Sequence, residues 1–237
     1  WDFGYHHPVV TFSQMYKCPK GSTHLTLLRE YLPEDLEAED LADGVLERSK
    51  LWFPGHSPNL FVDCGDAAGA AVSDKGPGPI IRLQQPPWSL RFRYQHVRDV
   101  DPGIAEVRKL LRTKCACGDF LLEVDRECPE VIEMLNGGYH YPKDRSGALK
   151  VDAKPAKDGY YDNIADSVRY VVWVLYRVAR QDEGFMAELE RWQGPPEDAN
   201  ELPNIFGWMG DWVGGEVDPD VLEQAHDVAR RTGLREE

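Results

Sequence analysis

Three early stretches of the chain alternate apolar and polar residues, and this period of two predicts strands. Turn-forming segments, His-His-Pro and Cys-Pro-Lys-Gly-Ser, separate them. The next stretch, 33–52, places leucine and valine at helical intervals and predicts a helix packed on the core. The three expected strands are Trp1–Phe3, Val9–Tyr16 and His24–Tyr31.

Later segments continue to alternate strand and helix patterns. A short apolar strand ends in the sequence Asp-Cys-Gly-Asp and runs into a loop of small residues. Further strands are expected at Leu90–Val97 and Phe120–Val124, a hairpin near Tyr139–Ala153, and helices at Pro102–Leu111, Pro129–Leu135 and Asp162–Arg180. This order predicts an α/β fold with a mixed central sheet flanked by helices.

The chain length, the lengths of the apolar runs and the number of cysteines limit which class of protein this can be. The 237 residues suffice for one large domain with an extension, and no apolar run approaches the roughly 20 residues that span a bilayer. We therefore expect no membrane association. The five cysteines favour reduced thiols. Cys115 and Cys117 could join Cys18 or Cys128 around zinc, but the paired Cys-x2-Cys spacing of many zinc sites is missing.

The formal charge of −14 is unevenly distributed. Residues 182–237 carry 15 acids against four arginines, which leaves only −3 for residues 1–181. Within the first part, the stretch 91–114 holds seven bases against three acids, and the stretch 143–157 holds five against two. These stretches are either candidate phosphate-contacting surfaces or ordinary solvated faces.

Acidic residues occur where strands and a helix begin or end. Asp2 sits in an apolar strand, where a carboxylate needs a hydrogen bond, a counter-charge or a metal. Asp63 and Asp66 end the strand after the first helix. Asp162 and Asp166 start the long late helix on one face, although an acid there is also a common helix cap. Clustered oxygen ligands of this kind suit two divalent cations about 4 Å apart.

Three motifs carry a resemblance to a known family: WDFGYHHP at the start, GDAAGAAVSDKGPGPI in the middle and YYDNIADSVRY late. Together they resemble the ribonuclease-H-like nuclease domain of phage large terminase subunits. Ala67 stands where that family usually has proline, and Asn163 stands where it has a second acid or histidine. The resemblance covers roughly residues 1–180.

The resemblance implies a metal-dependent endonuclease that cuts double-stranded viral concatemers during packaging, by two-metal hydrolysis with an activated water. It implies Mg²⁺ or Mn²⁺ as cofactor and, as partners, double-stranded DNA, the terminase ATPase domain, the portal and the small terminase subunit, in the host cell cytoplasm. No Gly-x4-Gly-Lys-Ser/Thr phosphate loop occurs, so the chain is expected to be the nuclease part of a longer protein.

The expected site residues follow from the same motifs. The catalytic and metal-binding acids are Asp2, Asp66 and Asp162, with Asp166 as a further ligand or an orienting partner. Accessory candidates are Asp63, His6 and His7, and the DNA-contacting candidates are Lys150, Lys154, Lys157, Arg108 and Arg112. With no Ser, Tyr or Cys among the acids, no covalent intermediate is expected. Mutual repulsion should raise the pKa of at least one carboxylate.

Other interpretations remain open at this stage. The chain could be another ribonuclease-H-like nuclease, of the junction-resolvase or transposase type, or a noncatalytic module of a packaging complex. We expect a nuclease domain at 1–181 and an acidic helical extension at 182–237. The extension could pack on the core, dock on a partner such as the portal, keep DNA away from its surface, or reflect adaptation to high salt.

Overall fold

The computed structural model describes residues 1–4, 6–54, 61–74, 76–95, 100–148 and 153–181. The acidic extension predicted at 182–237 lies outside the described residues. Among the residues that are described, no helix is both long enough and apolar enough to cross a bilayer.

Seven strands form the β structure of the described chain: β1 (Val10–Lys17), β2 (Thr23–Tyr31), β3 (Asp63–Asp66), β4 (Val72–Ser73), β5 (Gly76–Pro77), β6 (Phe92–Gln95) and β7 (Leu122–Val124). β1 pairs antiparallel with β2, and β2 pairs parallel with β7. β3 and β6 form a parallel pair, and β4 and β5 a short antiparallel one. The predicted mixed pairing is confirmed.

The first residues connect two of these strand groups. Asp2 and Val9 exchange backbone hydrogen bonds of 2.8 and 3.0 Å, and the Trp1 nitrogen donates a 2.8 Å bond to the Cys64 carbonyl. The segment expected as a first strand is thus an isolated bridge between the start of β1 and β3. This placement brings Asp2 next to the end of β3.

Helices cover the strands: α1 (Ala38–Trp52), α2 (Pro79–Leu83), α3 (Val100–Arg112), α4 (Pro129–Glu133), α5 (Tyr161–Tyr170) and α6 (Arg177–Gln181). π-helical turns at Met134–Gly138 and Val171–Tyr176 follow α4 and α5, so the late helix predicted at 162–180 is continuous from 161 to 181. The described part of the predicted hairpin near 139–153 contains a tight turn, in which Gly147 N donates to Asp144 O and Asp144 N donates to Ala148 O, and Lys143 before it is a bridge residue. The rest of the predicted hairpin, 149–152, lies outside the described residues.

Two apolar cores lie among these elements. One gathers Leu25 and Leu27 of β2 with residues of α3, α4 and α5, and the other gathers Val10 and Phe12 of β1 with α1 and α2. The buried side chains of α1 lie on one face of the helix and pack against the second core, as the sequence pattern predicted. The strands therefore have helices on both sides, and the start of α5 meets the segment that carries Asp2.

Candidate active site

The backbone around Asp2 fixes the direction of its side chain. The two bonds to Val9 hold the segment extended, and Gly4 N donates a 3.1 Å hydrogen bond to Asp2 Oδ1. Gly4 is itself constrained, because a Cβ there would lie 2.4 Å from Asn163 Nδ2. Asn163 Nδ2 donates a 2.8 Å bond to the His7 carbonyl, which attaches the start of α5 to the turn after Asp2.

Asp66 is the last residue of β3 and begins a 3₁₀ turn at Ala67–Ala70. Its Oδ1 accepts a 2.7 Å bond from Ala68 N, so the carboxylate caps that turn. Gly69 lets the turn pack closely, because a Cβ there would lie 3.1 Å from Ile80 and 3.3 Å from Phe3. The small residues of the middle motif thus bring the loop against the segment that carries Asp2.

On α5, Asp162, Asp166 and Tyr170 follow one another at four-residue spacing and share a face. Asp162 Oδ1 accepts a 2.7 Å bond from Gly159 N. Asp166 Oδ1 accepts bonds of 2.6 and 3.2 Å from the guanidinium of Arg169, and Tyr170 Oη lies 3.4 Å from Asp166 Oδ2. Asp166 is therefore paired with a buried cation and a hydroxyl.

Electrostatic effects show which acids face one another. Burial raises the pKa of Asp2 to about 6, and the carboxylate of Asp166, and to a smaller extent that of Asp162, adds to this rise. Burial also raises the pKa of Tyr170, and Asp166, Asp2 and Asp66 raise it further. The Tyr170 hydroxyl thus lies within electrostatic range of three carboxylates from three separate elements, and 3.4 Å from that of Asp166. The pKa of a carboxylate is thus raised, as expected, but burial and not mutual repulsion is the largest cause at Asp2.

The two acids of α5 differ in their surroundings. Asp166 acts more strongly on Asp2 than Asp162 does. Burial raises the pKa of Asp162, the bond from Gly159 lowers it, and neighbouring Asp158 raises it again. The sequence motifs favoured Asp162 as the third ligand, whereas the electrostatics favour Asp166, with Asp162 one helical turn away.

The carboxylates are spread out. Among the described residues, no three of them bring one oxygen each within 4.8 Å of one another.

The accessory candidates have other partners. Asp63 Oδ1 accepts a 2.8 Å bond from Trp1 Nε1, and burial raises the pKa of Asp63 to about 6 in spite of that bond. His6 Nδ1 lies 2.8 Å from Asp35 Oδ1 on the surface, and the His7 ring packs edge-on against Tyr160. These contacts indicate mainly structural roles.

The basic candidates occupy exposed places on two segments. Arg108 and Arg112 are exposed on α3, and Lys154 and Lys157 are exposed on the segment before α5, while Lys150 lies outside the described residues. The Arg108 guanidinium lies 5.9 Å from the centre of the Tyr141 ring. Ala156 N donates a 2.8 Å hydrogen bond to the carbonyl of His140, the residue before Tyr141. The loop at 140–141 therefore connects the two basic segments.

No family model matches this sequence, and no curated protein matches it. Solved structures do match. The chain is similar to nuclease domains of phage large terminases.

One is the g2p large terminase nuclease domain of bacteriophage SPP1 with bound Mn, at 13% identity and a TM-score of 0.44, over 72% of this chain and 81% of that one. Another is the large terminase nuclease of thermophilic phage G20c, at 11% identity and a TM-score of 0.39, over 73% and 86%. A magnesium-bound structure of the G20c nuclease gives 10% identity and a TM-score of 0.39, over 73% and 84%. At such low identity, the chemistry of the site has to be argued from this chain's own residues.

Two features of the site were missed from the sequence. Arg169 was not singled out, although its three-residue spacing from Asp166 and the small Gly103 on α3 that accommodates it were both visible. The expectation that no Tyr lies among the acids was wrong, because the helix turns Tyr170 towards them. The Tyr170 hydroxyl lies 3.4 Å from Asp166 Oδ2, and burial and the nearby carboxylates raise its pKa, which favours the protonated hydroxyl.

Proposed function

We propose that this chain is a divalent-metal-dependent endonuclease that hydrolyses double-stranded DNA. The observation that carries this proposal is that backbone and side-chain contacts bring the first segment, β3 and α5 together, so that Asp2, Asp66 and Asp166 all act on the pKa of Tyr170. Carboxylates from three separate elements repel one another, and a bound divalent cation would offset that repulsion. Their pattern therefore favours a metal site over a structural cluster.

The donor atoms fit magnesium or manganese. Asp2, Asp66, Asp162 and Asp166 offer only carboxylate oxygens, the hard ligands that these ions prefer. The raised pKa of Asp2 shows that the bond from Gly4 and the amino terminus offset only part of the cost of ionising it. Asp2, Asp66 and Asp166 would hold the ions, with Asp162 as a further ligand, and the ions would activate a water and stabilise the leaving oxygen.

The chain's own residues prepare this site. Arg169 fixes Oδ1 of Asp166 by a charged hydrogen bond, while the Tyr170 hydroxyl orients Oδ2. Gly4 N orients the carboxylate of Asp2, and Ala68 N orients that of Asp66. Each candidate ligand thus has a donor that sets its direction, and Asp2 must lose its proton near pH 6 before it can bind a cation.

The positions of exposed basic residues beside the carboxylates indicate where DNA would bind. A duplex presents phosphates on both sides of the cut, so cations are needed beside the carboxylates. Lys154 and Lys157 lie on the segment that leads to Asp162, and the loop at 140–141 connects that segment to Arg108. We assign phosphate contacts to these residues and to Arg112.

The biological setting is proposed from the motif resemblance alone. In it, residues 1–181 form the nuclease, the acidic stretch 182–237 is an extension, and the substrate is a viral DNA concatemer in the host cytoplasm. The ATPase domain, portal and small subunit of a terminase would be its partners.

The test is cleavage of supercoiled plasmid with Mg²⁺, Mn²⁺ or EDTA. We expect metal-dependent nicking and linearisation by the wild type, and losses of at least about 100-fold in Asp2→Asn, Asp66→Asn and Asp166→Asn. Asp162→Asn should be affected less. Asp63→Asn is the matched control, an isosteric change in the same strand that should retain cleavage.

A folded wild type that binds DNA but cleaves under no metal would overturn the proposal in favour of a binding module. Preference for a four-way junction over linear duplex would instead indicate a resolvase. Retention of cleavage in Asp66→Asn, with loss of cleavage in Asp63→Asn, would contradict the assignment of Asp66 as the ligand of this strand.

A further inference from the structure

Four sulfur and nitrogen ligands converge at the end of β1 remote from Asp2. The ligand atoms of Cys18, His24, Cys115 and Cys117 all lie within 4.8 Å of one another. Asp2 is bridged to Val9 at the other end of this strand, and the nine steps from Val9 to Cys18 span roughly 25–30 Å of extended chain. The cluster is therefore separate from the carboxylates.

We propose that Cys18, His24, Cys115 and Cys117 bind one zinc ion in a closed, structural site. Cys18 Sγ lies 3.6 Å from Cys115 Sγ, and Cys117 Sγ lies 3.4 Å from His24 Nε2. Tetrahedral zinc with Zn–S of about 2.3 Å and Zn–N of about 2.0 Å requires ligand separations of about 3.5–3.8 Å. The two distances agree with that requirement.

The backbone forms two turns of the same pattern around the cluster. In one, Cys18 N donates to Ser22 O and Gly21 N to Cys18 O; in the other, Cys115 N donates to Asp119 O and Gly118 N to Cys115 O. Each turn thus has cysteine first and, three residues on, a glycine with positive φ, +81° and +106° respectively. The repeated pattern shows how two dissimilar sequences, Cys-Pro-Lys-Gly and Cys-Ala-Cys-Gly, present a cysteine in the same way.

His24 is oriented for metal binding by its other ring nitrogen. Nδ1 lies 2.8 Å from the Phe120 carbonyl, which can only accept, so Nδ1 carries the proton and Nε2 presents its lone pair to the cluster. Zinc-bound histidines commonly donate their second nitrogen in this way. Tyr16 stacks on the ring, and His24 is only 1% exposed. A buried histidine with this tautomer, and with a sulfur 3.4 Å from its Nε2, is suited to bind a cation.

Backbone N–H groups are directed at the sulfurs. Cys117 N donates a 3.4 Å bond to Cys115 Sγ, and Lys20 N makes the corresponding contact to the sulfur of Cys18. In both turns the donor is the residue two places after the cysteine. Such bonds favour the thiolate, which is the form that binds metal.

The donor set distinguishes this site from the nuclease site. Thiolate and imidazole ligands select zinc, whereas carboxylates select magnesium or manganese. Four protein ligands leave no open place for water, which is the mark of a structural site. The ion would join the tip of the β1–β2 hairpin to the connection between α3 and β7, next to the buried 2.8 Å bond from Tyr176 Oη to Thr23 O.

Sequence spacing alone did not reveal the site. Cys-x-Cys and Cys-x5-His differ from the usual paired spacing, and His24 was not considered as a ligand. Cys128, the other candidate, lies in the apolar core with 0% exposure. The four ligands belong to two distant parts of the sequence and come together only in the folded structure.

The test is metal analysis of the full chain, purified without chelator from zinc-supplemented cells. We expect about one zinc per chain in the wild type and in two controls, Cys128→Ala and Asp66→Asn, and less than about a tenth of that in Cys115→Ser and Cys117→Ser. Retention of zinc in Asp66→Asn separates this site from the nuclease site, so the two proposals can fail independently.

If the serine variants do not fold, cobalt binding by the wild type tests the proposal instead. Cobalt added to the zinc-free wild type should give a thiolate-to-cobalt charge-transfer absorption, which carboxylates cannot produce. A folded wild type that contains no zinc and gives no such absorption would overturn the proposal. Retention of zinc in both serine variants, or a Cys18–Cys115 disulfide in place of bound metal, would do the same.

Discussion

The guanidinium of Arg169 is 4% exposed and donates a 2.6 Å hydrogen bond to Asp166, one turn away on the same helix. Gly103 of α3 makes room for it, because a Cβ there would lie 2.4 Å from Arg169 Cδ. A buried cation costs free energy unless it is paired, and here its partner is a candidate metal ligand. The pair therefore links the stability of the fold to the charge of the site.

Arg169→Gln tests this link. We expect the free energy of unfolding to fall by about 2–4 kcal/mol, because the change leaves a carboxylate without its buried partner. Arg177→Gln is the matched control on the same helical segment: its guanidinium lies 4.1 Å from the centre of the Trp173 ring, and its loss should cost under about 1 kcal/mol. Urea unfolding in EDTA measures both, and equal losses would show that the Asp166 pair is unimportant.

Asp2→Asn should make the metal-free protein more stable at neutral pH. The folded pKa of Asp2, about 6, exceeds the ordinary value of 3.8, so the native state binds more protons than the unfolded state between these values. Wild-type stability should therefore fall as the pH rises from about 4 to about 6 and then level off, a loss of at most about 3 kcal/mol from this group. Asparagine keeps an oxygen for the bond from Gly4 but cannot ionise.

Urea unfolding of both proteins in EDTA across this pH range measures the difference. It should be near zero at the acidic end and about 1–3 kcal/mol in favour of Asp2→Asn above pH 6. Asp63 has a similarly raised pKa and should leave some pH dependence in the variant. An asparagine variant that is less stable than the wild type at neutral pH would mark Asp2 as a structural acid.

Gly4→Ala tests how the first turn is held against α5. The φ of Gly4 lies outside the left-handed range, so the expected cost is steric: the new Cβ would lie 2.4 Å from Asn163 Nδ2. We expect a loss of about 1–3 kcal/mol of stability, together with slower cleavage, because the bond from Asn163 to the His7 carbonyl must break.

The double variant with Asn163→Ala supplies the control. Removing the amide makes room for the methyl group, so the two changes together should cost about 1 kcal/mol less than the sum of the single changes. Stabilities measured by urea unfolding decide the matter. Strict additivity would show that the contact between Gly4 and Asn163 has no energetic consequence.

The sequence predicted what local periodicity determines. The alternation in 9–16 and 24–31 corresponds to β1 and β2, and the small-residue loop after Asp66 was expected as a departure from strand structure. The order of strands and helices also indicated a mixed sheet with helices on both faces. Each of these features depends on residues close together in the chain, where pattern and structure are directly related.

Features that depend on distant contacts were not predictable in the same way. The isolated pairing of Asp2 with Val9, and the hydrogen bond from Trp1 to Cys64, depend on a chain separation of up to 63 residues. The choice between Asp162 and Asp166 depends on which turn of α5 meets Asp2, and the spacing of four leaves this undetermined. The ligand cluster of His24 with three cysteines required two turns to meet across the fold.

The basic segment before α5 is predicted to contribute to DNA binding. Lys154 and Lys157 are exposed, and their assigned role is to contact phosphates. Replacing both with glutamine should weaken DNA binding and reduce the slope of log affinity against log salt by about 1–2, since each phosphate contact contributes about 0.9. Stability should change little, because exposed lysines contribute little to folding.

Lys50→Gln, an exposed change at the end of α1, is the matched control and should leave the salt slope unchanged. Fluorescence anisotropy with a labelled duplex, in Ca²⁺ or EDTA to prevent cleavage, gives the slopes at several salt concentrations. Because the acidic stretch 182–237 is the same in every variant, the difference between variants isolates the two lysines. An unchanged slope in the double variant would remove this segment from the proposed DNA path and leave Arg108 and Arg112 as its candidates.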